Sequence, residues 1–275
     1  MNNKYLNSII NGNCLLEMKN FQSDSIDSII ADPPYNLSKG NNFKWDNSIK
    51  LEGMGGNWNK VMEDWDNYSL EEYIFFTKEW LKEAQRILKP TGSIWIFGTY
   101  HNIGIINLIC QMLGIEIINE VIWYKRNAFP NLSGRRLTAS HETILWCHKG
   151  GKKREYYFDY EYSKNGDFSY DNLKIPLKQM RTVWDIPNNK DKNEICYGKH
   201  PTQKPLRILK RIIGLSSKKD DIVFVPFAGS GSECVAAKLL ERNYIGIELE
   251  NEYCELAKKR LDNIVQEKTK QMSLL

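Results

Sequence analysis

The sequence contains few cysteines, and none of them has the spacing of a metal-binding pair. Six occur among 275 residues, without a CxxC motif: Cys14, Cys110, Cys147, Cys196, Cys234 and Cys254. Structural zinc sites and disulfide frameworks depend on paired or closely spaced cysteines. The pattern therefore predicts no metal site and reduced thiols in a cytoplasmic protein.

Long apolar segments are also missing. Residues 1–7 have no apolar core of a secretory signal, and the most apolar window, residues 103–118, is interrupted by Asn107, Gln111 and Glu116. That window is too short to cross a bilayer, so no membrane association is expected. The formal net charge is only +4, which permits a polyanionic partner without requiring one.

Short apolar runs alternate with helical patterns along most of the chain. Predicted strands cover residues 8–13, 25–30, 93–97, 115–124, 143–148, 221–226 and 244–248, and predicted helices cover 15–20, 69–88, 102–113, 206–215, 232–242 and 251–266. Ser69, followed by Glu72, predicts a capped start for the second helix. The alternation predicts an α/β fold with a doubly wound, mostly parallel sheet.

Residues 126–199 interrupt this alternation, which predicts an inserted region between the catalytic parts 1–125 and 200–275. Basic side chains at its start and within it include Lys125, Arg126, Arg135 and Arg136. Aromatic residues are interleaved with the basic ones: Tyr156, Tyr157, Phe158, Tyr160, Tyr162 and Tyr170. The basic residues alone could form a solvent-exposed face, and the aromatic residues alone could form the buried side of a strand. Their combination in one region favours contact with nucleic acid.

The stretch Asp32-Pro33-Pro34-Tyr35 closes a predicted buried strand and carries the clearest chemistry. The prolines hold the backbone extended, so Asp32 and the Pro33 carbonyl form a rigid pair of acceptors. Two acceptors that bind both N–H groups of an exocyclic base amine would free its delocalised lone pair, and Tyr35 could stack on a flipped base. A stiff solvated turn is the alternative. Residues 37–68 follow without clear periodicity and are predicted to form a lid.

A second motif, residues 222–233, has the pattern strand, glycine turn, helix. Gly229 and Gly231 allow close approach of a ligand to the backbone, and Glu248 follows about twenty residues on, where such folds bind ribose hydroxyls. A generic tight turn and a nicotinamide dinucleotide site are alternatives, but the three-glycine fingerprint of the latter is absent. The pattern favours a nucleoside cofactor.

Together these features resemble the β-group of amino-methylating DNA methyltransferases over nearly the whole chain. The matching blocks are residues 32–35 as the catalytic motif, 227–231 as the cofactor loop and 200–205 as the block before it, in the same order along the chain. Residues 123–127 and 141–146 resemble blocks of members that methylate GATC or GANTC. The resemblance implies a seven-stranded-type Rossmann-like methyltransferase sheet and N6-adenine methylation in type II restriction–modification.

The resemblance also implies the cofactor, S-adenosylmethionine, and the partners, which are DNA, a cognate restriction endonuclease without direct contact, and a homodimer. It places the cofactor carboxylate near Thr202, Lys204 and Ser232, the ribose at Glu248, and Phe227 beside the cofactor. The implied catalytic residues are Asp32, Pro33, Pro34 and Tyr35. The implied cofactor-binding residues are Asn13, Asp32, His200, Thr202, Lys204, Phe227, Gly229, Ser230, Gly231, Ser232 and Glu248.

Two positions differ from the family pattern. Val225 and Asn13 stand where members usually have aspartate, which predicts weaker or rearranged cofactor contacts. N4-cytosine methylation uses the same amine chemistry, but aspartate rather than serine at the start of the motif favours adenine. Methyltransferases of ribosomal RNA or of protein glutamine share related tetrapeptides, but they resemble proteins in which the two motifs occur in the opposite order. A catalytically inactive DNA-binding protein is the remaining alternative.

Overall fold

Strands and helices alternate to build one mixed sheet in the part of the chain that the structure describes. The structure is a computed structural model that describes residues 3–36, 68–131, 134–151, 153–188, 191–198, 200 and 202–272. The predicted lid lies outside these residues except for Tyr68. Within them, no helix has both the length and the apolar composition needed to cross a bilayer.

The strands are β1 Ser8–Asn11, β2 Ile26–Ala31, β3 Leu88–Gly98, β4 Glu116–Tyr124, β5 His141–His148, β6 Val183–Asp185, β7 Ile222–Val225 and β8 Asn243–Glu248. The α-helices are α1 Cys14–Glu17, α2 Leu70–Ile87, α3 Ile103–Met112, α4 Tyr160–Asn165, α5 Lys192–Ile195, α6 Leu206–Ser216, α7 Ser232–Leu239 and α8 Asn251–Met272.

The sheet has the strand order β1-β8-β7-β2-β3-β5-β4-β6. Strands β1, β8, β7, β2 and β3 pair in parallel, whereas β5 runs antiparallel to both β3 and β4. This arrangement confirms the predicted doubly wound, mostly parallel fold. The short strand β6, which pairs in parallel with β4, adds an eighth strand at the edge of the described sheet.

Alternating side chains of the central strands supply two apolar layers. In β3, Trp95 and Phe97 belong to one buried cluster, while Ile94 and Ile96 belong to the cluster on the opposite side. Because successive side chains of a strand point to opposite faces, the apolar run of β3 requires a cover on both sides of the sheet. The helices provide that cover.

Helix α2 begins as the sequence predicts. Ser69 Oγ accepts a hydrogen bond from the Glu72 amide at 3.2 Å, and Glu72 Oε2 accepts one from the Ser69 amide at 2.8 Å. Strand β3, in contrast, begins at Leu88 rather than at the predicted residue 93. The register of β2 against β3 shifts between Ile26 and Ser28, and this irregularity lets the strand include Pro90.

The region predicted as an insert is not separate from the sheet, because β5 and β6 both lie between residues 126 and 199. Its aromatic side chains also contribute to the core. Tyr156 and Phe158 pack against Trp146, with ring centroids 5.4 Å and 5.3 Å away. The basic and aromatic pattern here therefore combines an exposed charged surface with a buried apolar side. The insert boundaries remain a prediction.

A buried arginine fastens this region to α6. The side chain of Arg211 is fully buried and donates to Asp171 Oδ2 at 2.6 Å. Its guanidinium also lies 4.6 Å from the ring centre of Phe168 and 4.9 Å from that of Trp184. A guanidinium over aromatic faces gains cation–π attraction, which offsets part of its loss of hydration.

Replacing Arg211 tests the strength of this attachment. We expect Arg211→Met to lower the free energy of unfolding by about 3–5 kcal/mol, because Asp171 is left as a buried charge without its partner. Denaturant unfolding measures the change, with Lys210→Met in the same helix as the control. A loss for Arg211→Met no larger than that of the control would contradict the assignment.

Candidate active site

The topology brings the two predicted motifs together at one edge of the sheet. Asp32 follows β2 and Pro226 follows β7, and these strands are parallel neighbours from which the chain winds outward in opposite directions. Ligands of such sheets bind in the crevice at this switch point. A cavity of about 150 Å³ lies there, and every predicted catalytic and cofactor-binding residue except Gly231 lines it.

The backbone of the Asp-Pro-Pro-Tyr motif is held from the neighbouring helices. Tyr73 in α2 donates from its hydroxyl to the Pro34 carbonyl at 2.9 Å, and Asn102 donates from Nδ2 to the Tyr73 hydroxyl at 3.0 Å. Tyr73 is fully buried, and Asn102 is 1% exposed. These contacts give the motif a fixed position at the mouth of the cavity.

Both carboxylate oxygens of Asp32 have partners within the protein. Oδ1 accepts a hydrogen bond from the Tyr35 hydroxyl at 2.5 Å, and Oδ2 forms an ion pair with Lys204 Nζ. Lys204 Nζ also donates to the Tyr35 hydroxyl at 2.8 Å. Burial raises the pKa of the Asp32 carboxyl above its ordinary value, while Lys204 opposes the rise.

Lys204, predicted to meet the cofactor carboxylate, lines the cavity with its ammonium against Asp32. Burial disfavours the charge of its ammonium, but Asp32 and Glu142 outweigh that effect and raise its pKa. The ammonium of Lys204 thus lies against the Asp-Pro-Pro-Tyr motif. Residue spacing could not reveal this, because Lys204 and Asp32 are separated by 172 positions in the chain.

Glu142 is a site residue to which the sequence alone assigned no role. It stands in β5, whose antiparallel course brings its first residues to the edge where β2 ends. Its Oε2 lies 3.4 Å from the Tyr35 hydroxyl and 3.7 Å from Lys204 Nζ, and its Oε1 lies 3.0 Å from Lys125 Nζ. One feature of the sequence could have identified Glu142: it is an acidic residue at the start of a strand whose later residues are mostly apolar.

The glycine loop has the conformation that its residues predict. Gly229 and Gly231 have φ values of +49° and +72°, in the left-handed region that side chains other than glycine rarely adopt. A Cβ atom on Gly231 would lie 2.7 Å from Cβ of Ala257. The loop is thereby fitted closely against α8, and its other side faces the cavity.

Glu248, predicted to hold a ribose, fastens the end of β8 to this loop. Its Oε2 accepts from the Gly229 amide at 2.6 Å, and its Oε1 accepts from the Glu250 amide at 2.8 Å. A carboxylate oxygen accepts two hydrogen bonds, so each oxygen retains capacity for a ligand hydroxyl. Burial raises the pKa of Glu248, and the bonds from the two amides oppose that rise.

The serine hydroxyls of the loop have a partner that the sequence did not indicate. Arg260, a 4% exposed side chain of α8, donates from Nη1 to Ser230 Oγ and to Ser232 Oγ, each at 2.9 Å. It also donates to the Ser230 carbonyl at 2.5 Å. Arg260 therefore places a cation beneath the start of α7, where Ser232 was expected to meet a carboxylate.

Three further predicted residues lie around the same cavity. Asn13 accepts through Oδ1 from the Leu15 amide at 2.9 Å and so caps α1. His200 Nδ1 accepts from the Thr202 amide at 3.3 Å, and burial, aided by Lys204 and Arg260, lowers the pKa of His200 to about 4. At neutral pH the imidazole is therefore uncharged.

Phe227 lies between the loop and α2. Its ring meets Trp80 edge-on at 5.5 Å and contacts Phe76 at 5.9 Å.

Glu233, the second residue of α7, also lines the cavity although the sequence assigned it no role. It is 4% exposed, and burial, followed by the charge of Asp32, raises its pKa to about 7. The site is thus rich in carboxylates.

The four residues predicted to bind DNA fall into two groups. Lys125 is paired with Glu142, and Arg126 donates from Nε to Asp185 Oδ1 at 2.7 Å and from Nη2 to the Asp185 carbonyl at 2.6 Å. Arg135 and Arg136 are exposed, and Arg136 donates to the Tyr100 hydroxyl at 3.1 Å. The exposed pair is the better candidate for contact with phosphates.

Comparison with known proteins identifies several similar chains. Residues 26–259 match the family described as DNA methylase, N6_N4_Mtase. The type II methyltransferase M.HinfI of Haemophilus influenzae is 40% identical over 267 residues, covering 95% of this chain and 70% of that protein. The type II methyltransferase M2.MboI of Moraxella bovis is 42% identical over 262 residues, covering 94% and 88%.

Among solved structures, the complex of M1.HpyAVI with S-adenosylmethionine is similar, with a TM-score of 0.64 at 27% identity. The alignment covers 92% of this chain and 98% of that one. The similarity therefore extends over both halves of the sheet and includes the crevice between them.

Proposed function

This chain belongs to the DNA methylase family of N6-adenine and N4-cytosine enzymes, and we propose that it methylates N6 of adenine within a short DNA sequence. The observation that carries the proposal is the position of Asp32, held by Tyr35 and Lys204 at the rim of the cofactor cavity. Aspartate at the start of this motif favours adenine over cytosine. Its role as the modification enzyme beside a cognate endonuclease, and a homodimeric state, form part of the proposal.

The cavity has the chemical character that S-adenosylmethionine requires. This cofactor carries an ammonium and a sulfonium group, and it supplies an electrophilic methyl group when bound. The carboxylates of Asp32, Glu233 and Glu248 line the cavity and suit a cationic ligand. Gly229 leaves the backbone bare on one side of the cavity, and Phe227 offers an aromatic surface. These residues, with Asn13, His200, Thr202 and the loop serines, would hold the cofactor.

Asp32 and the Pro33 carbonyl would accept the two N–H groups of the target amine. Each oxygen of Asp32 has one partner in the free protein and can accept a second hydrogen bond. Burial raises the pKa of Asp32, which makes its carboxylate a better acceptor for the proton that the amine loses. Tyr35 lines the same cavity and would contact the base through its ring.

The nature of the methylated base tests this proposal directly. We expect the purified protein with labelled S-adenosylmethionine to convert DNA adenine to N6-methyladenine, identified after digestion to nucleosides. Asp32→Asn should lower the rate at least about 1,000-fold, since a positioned charged acceptor is lost. Cofactor binding by the variant, followed by calorimetry, should weaken but remain measurable, because Glu233 and Glu248 still line the cavity.

N4-methylcytosine as the product would establish the alternative within this family. A wild-type protein that binds duplex DNA but neither binds the cofactor nor forms either methylated base would instead indicate an inactive DNA-binding protein. Sequencing of methylated bases in DNA from cells that express the chain would then give the recognition sequence.

Glu233 gives a second prediction, on cofactor binding. Because its pKa in the free protein is about 7, its carboxyl is mostly protonated at pH 6 and mostly ionised at pH 8. A cationic ligand binds the ionised form more tightly. We expect S-adenosylmethionine affinity to rise about tenfold from pH 6 to pH 8, and Glu233→Gln to abolish most of this rise. Calorimetry measures both.

The exposed Glu252→Gln in α8 serves as the matched control and should keep the wild-type pH dependence. An unchanged pH dependence in Glu233→Gln would show that Glu233 does not face a cation of the cofactor. S-adenosylhomocysteine, which has the ammonium but lacks the sulfonium, distinguishes the two cationic groups in the same titration.

Arg135 and Arg136 provide the third prediction, on DNA binding. The double variant Arg135→Gln/Arg136→Gln should weaken duplex binding and reduce the magnitude of the slope of log affinity against log salt by about 1–2. The reason is that binding releases about one counterion fewer for each phosphate contact that is lost. Fluorescence anisotropy at several salt concentrations measures the slope. Lys219→Gln, just before β7 at the opposite edge of the sheet, is the control. An unchanged slope would place the DNA-binding surface elsewhere.

A further inference from the structure

A largely buried charged cluster extends from the catalytic motif to the first residues of β5 and the end of β4. It consists of Asp32 after β2, Tyr35, Lys204 before α6, Glu142 in β5 and Lys125 after β4. The exposed fractions of its four charged side chains range from 3% to 14%. Burial of four charges costs considerable hydration free energy, and apolar residues of similar volume would commonly serve stability as well. Stability alone therefore does not account for these four charged side chains, and a chemical role is the better explanation.

We propose that Glu142 is a positioning residue for methyl transfer, which acts by sharing Lys204 and Tyr35 with Asp32. The inference rests on the proposed function, in which Asp32 receives the amino group of the target base. Glu142 itself lies behind Asp32, across Tyr35 and Lys204, and reaches the reaction only through them.

The contacts show how the sharing works. Lys204 Nζ forms an ion pair with Asp32 Oδ2 and lies 3.7 Å from Glu142 Oε2. The Tyr35 hydroxyl lies 2.5 Å from Asp32 Oδ1 and 3.4 Å from Glu142 Oε2. One ammonium and one hydroxyl therefore serve two carboxylates, so that the attraction of Lys204 is divided between them.

The charges around the cluster support this division. Burial opposes ionisation of Glu142, but Lys204 and Lys125 outweigh it and hold the pKa of Glu142 below its usual value. An ionised Glu142 in turn adds to burial in raising the pKa of Asp32. Glu233 is the further carboxyl group acting on Lys204, and His200 is uncharged at neutral pH. The outer cation, Lys125, neutralises part of Glu142.

Without Glu142, the whole attraction of Lys204 would fall on Asp32. The Asp32 carboxylate would then be less basic and would accept hydrogen bonds from a base amine less strongly. Loss of Lys125 should have the opposite effect, because Glu142 would then act on Lys204 and Asp32 without its own counterion. The two changes predict shifts of opposite sign at one carboxyl group, which a merely structural role would not produce.

The experiment compares Glu142→Gln, Lys125→Met and the double variant. Carbon-13 NMR of side-chain carboxyl groups gives the titration of Asp32 in the cofactor-free protein, with the resonance assigned by its loss in Asp32→Asn. Single-turnover methyl transfer to duplex DNA, followed as a function of pH, gives the kinetic counterpart. Calorimetric binding of S-adenosylmethionine and thermal unfolding verify that each variant is folded.

We expect Glu142→Gln to move the Asp32 titration and the acid limb of the rate profile to lower pH by about one unit, and to slow transfer about tenfold. Lys125→Met should move both to higher pH, and the double variant should lie near the wild type. Cofactor affinity should change less than about twofold, since neither Glu142 nor Lys125 lines the cavity.

A slower Glu142→Gln enzyme with an unshifted Asp32 titration would overturn the proposal and leave Glu142 a structural residue. Shifts of the same sign in both single variants would overturn it as well. If Glu142→Gln fails to fold, Glu142→Asp takes its place, because the shorter side chain keeps the charge but withdraws it from Lys204 and Tyr35, and it should shift the Asp32 titration to lower pH as well. The NMR titration needs no turnover, so a failure of the proposed methyl transfer is distinguishable from a failure of this inference.

Discussion

The parallel pairing of β2 with β7 is the constraint on which the site depends. Ser28 and Ile29 pair with Val223 and Phe224, and each strand ends within a few residues of one of the two motifs that line the cavity. Because the chain winds outward from these strands in opposite directions, a crevice opens beyond their carboxyl ends. The acidic motif and the glycine loop meet there although almost two hundred residues separate them. The strand topology alone thus produces the crevice and brings the two motifs to it.

Much of this framework is encoded locally, which explains why it could be predicted. The capped start of α2, the glycine loop before α7 and the apolar strands follow from residues that are close in sequence. The charged cluster is different in kind. Lys204, Glu142 and Asp32 come from three distant segments, and their contacts exist only after β5 has inserted antiparallel between β3 and β4. Periodicity carries no information about such meetings.

Composition was a weaker guide between residues 126 and 199 for a related physical reason. Charge and aromatic content predict what a segment can contact, whereas the partner is decided by packing. Arg126 and Arg211 are both cations in or beside a basic, aromatic region, yet each is held by a carboxylate within the protein. Arg211 in particular lies over the rings of Phe168, Tyr170 and Trp184. An arginine can only be assigned to nucleic acid after its internal partners are known.

The balance of charge around Asp32 connects these points to catalysis. An exocyclic amine needs a strong acceptor, but a fully exposed carboxylate would be weakened by water, and a carboxylate paired with one lysine alone would be weakened by that cation. A buried carboxylate whose lysine partner is also attracted by a second carboxylate has an acceptor strength that neither water nor a single cation reduces fully. Burial raises the pKa of Asp32 while Lys204 opposes that rise, and in the arrangement we propose Glu142 limits how far the ammonium of Lys204 reduces the basicity of Asp32. In the function we propose, the cluster trades stability for a reactive acceptor, since each of its charges would cost less if it were exposed to water.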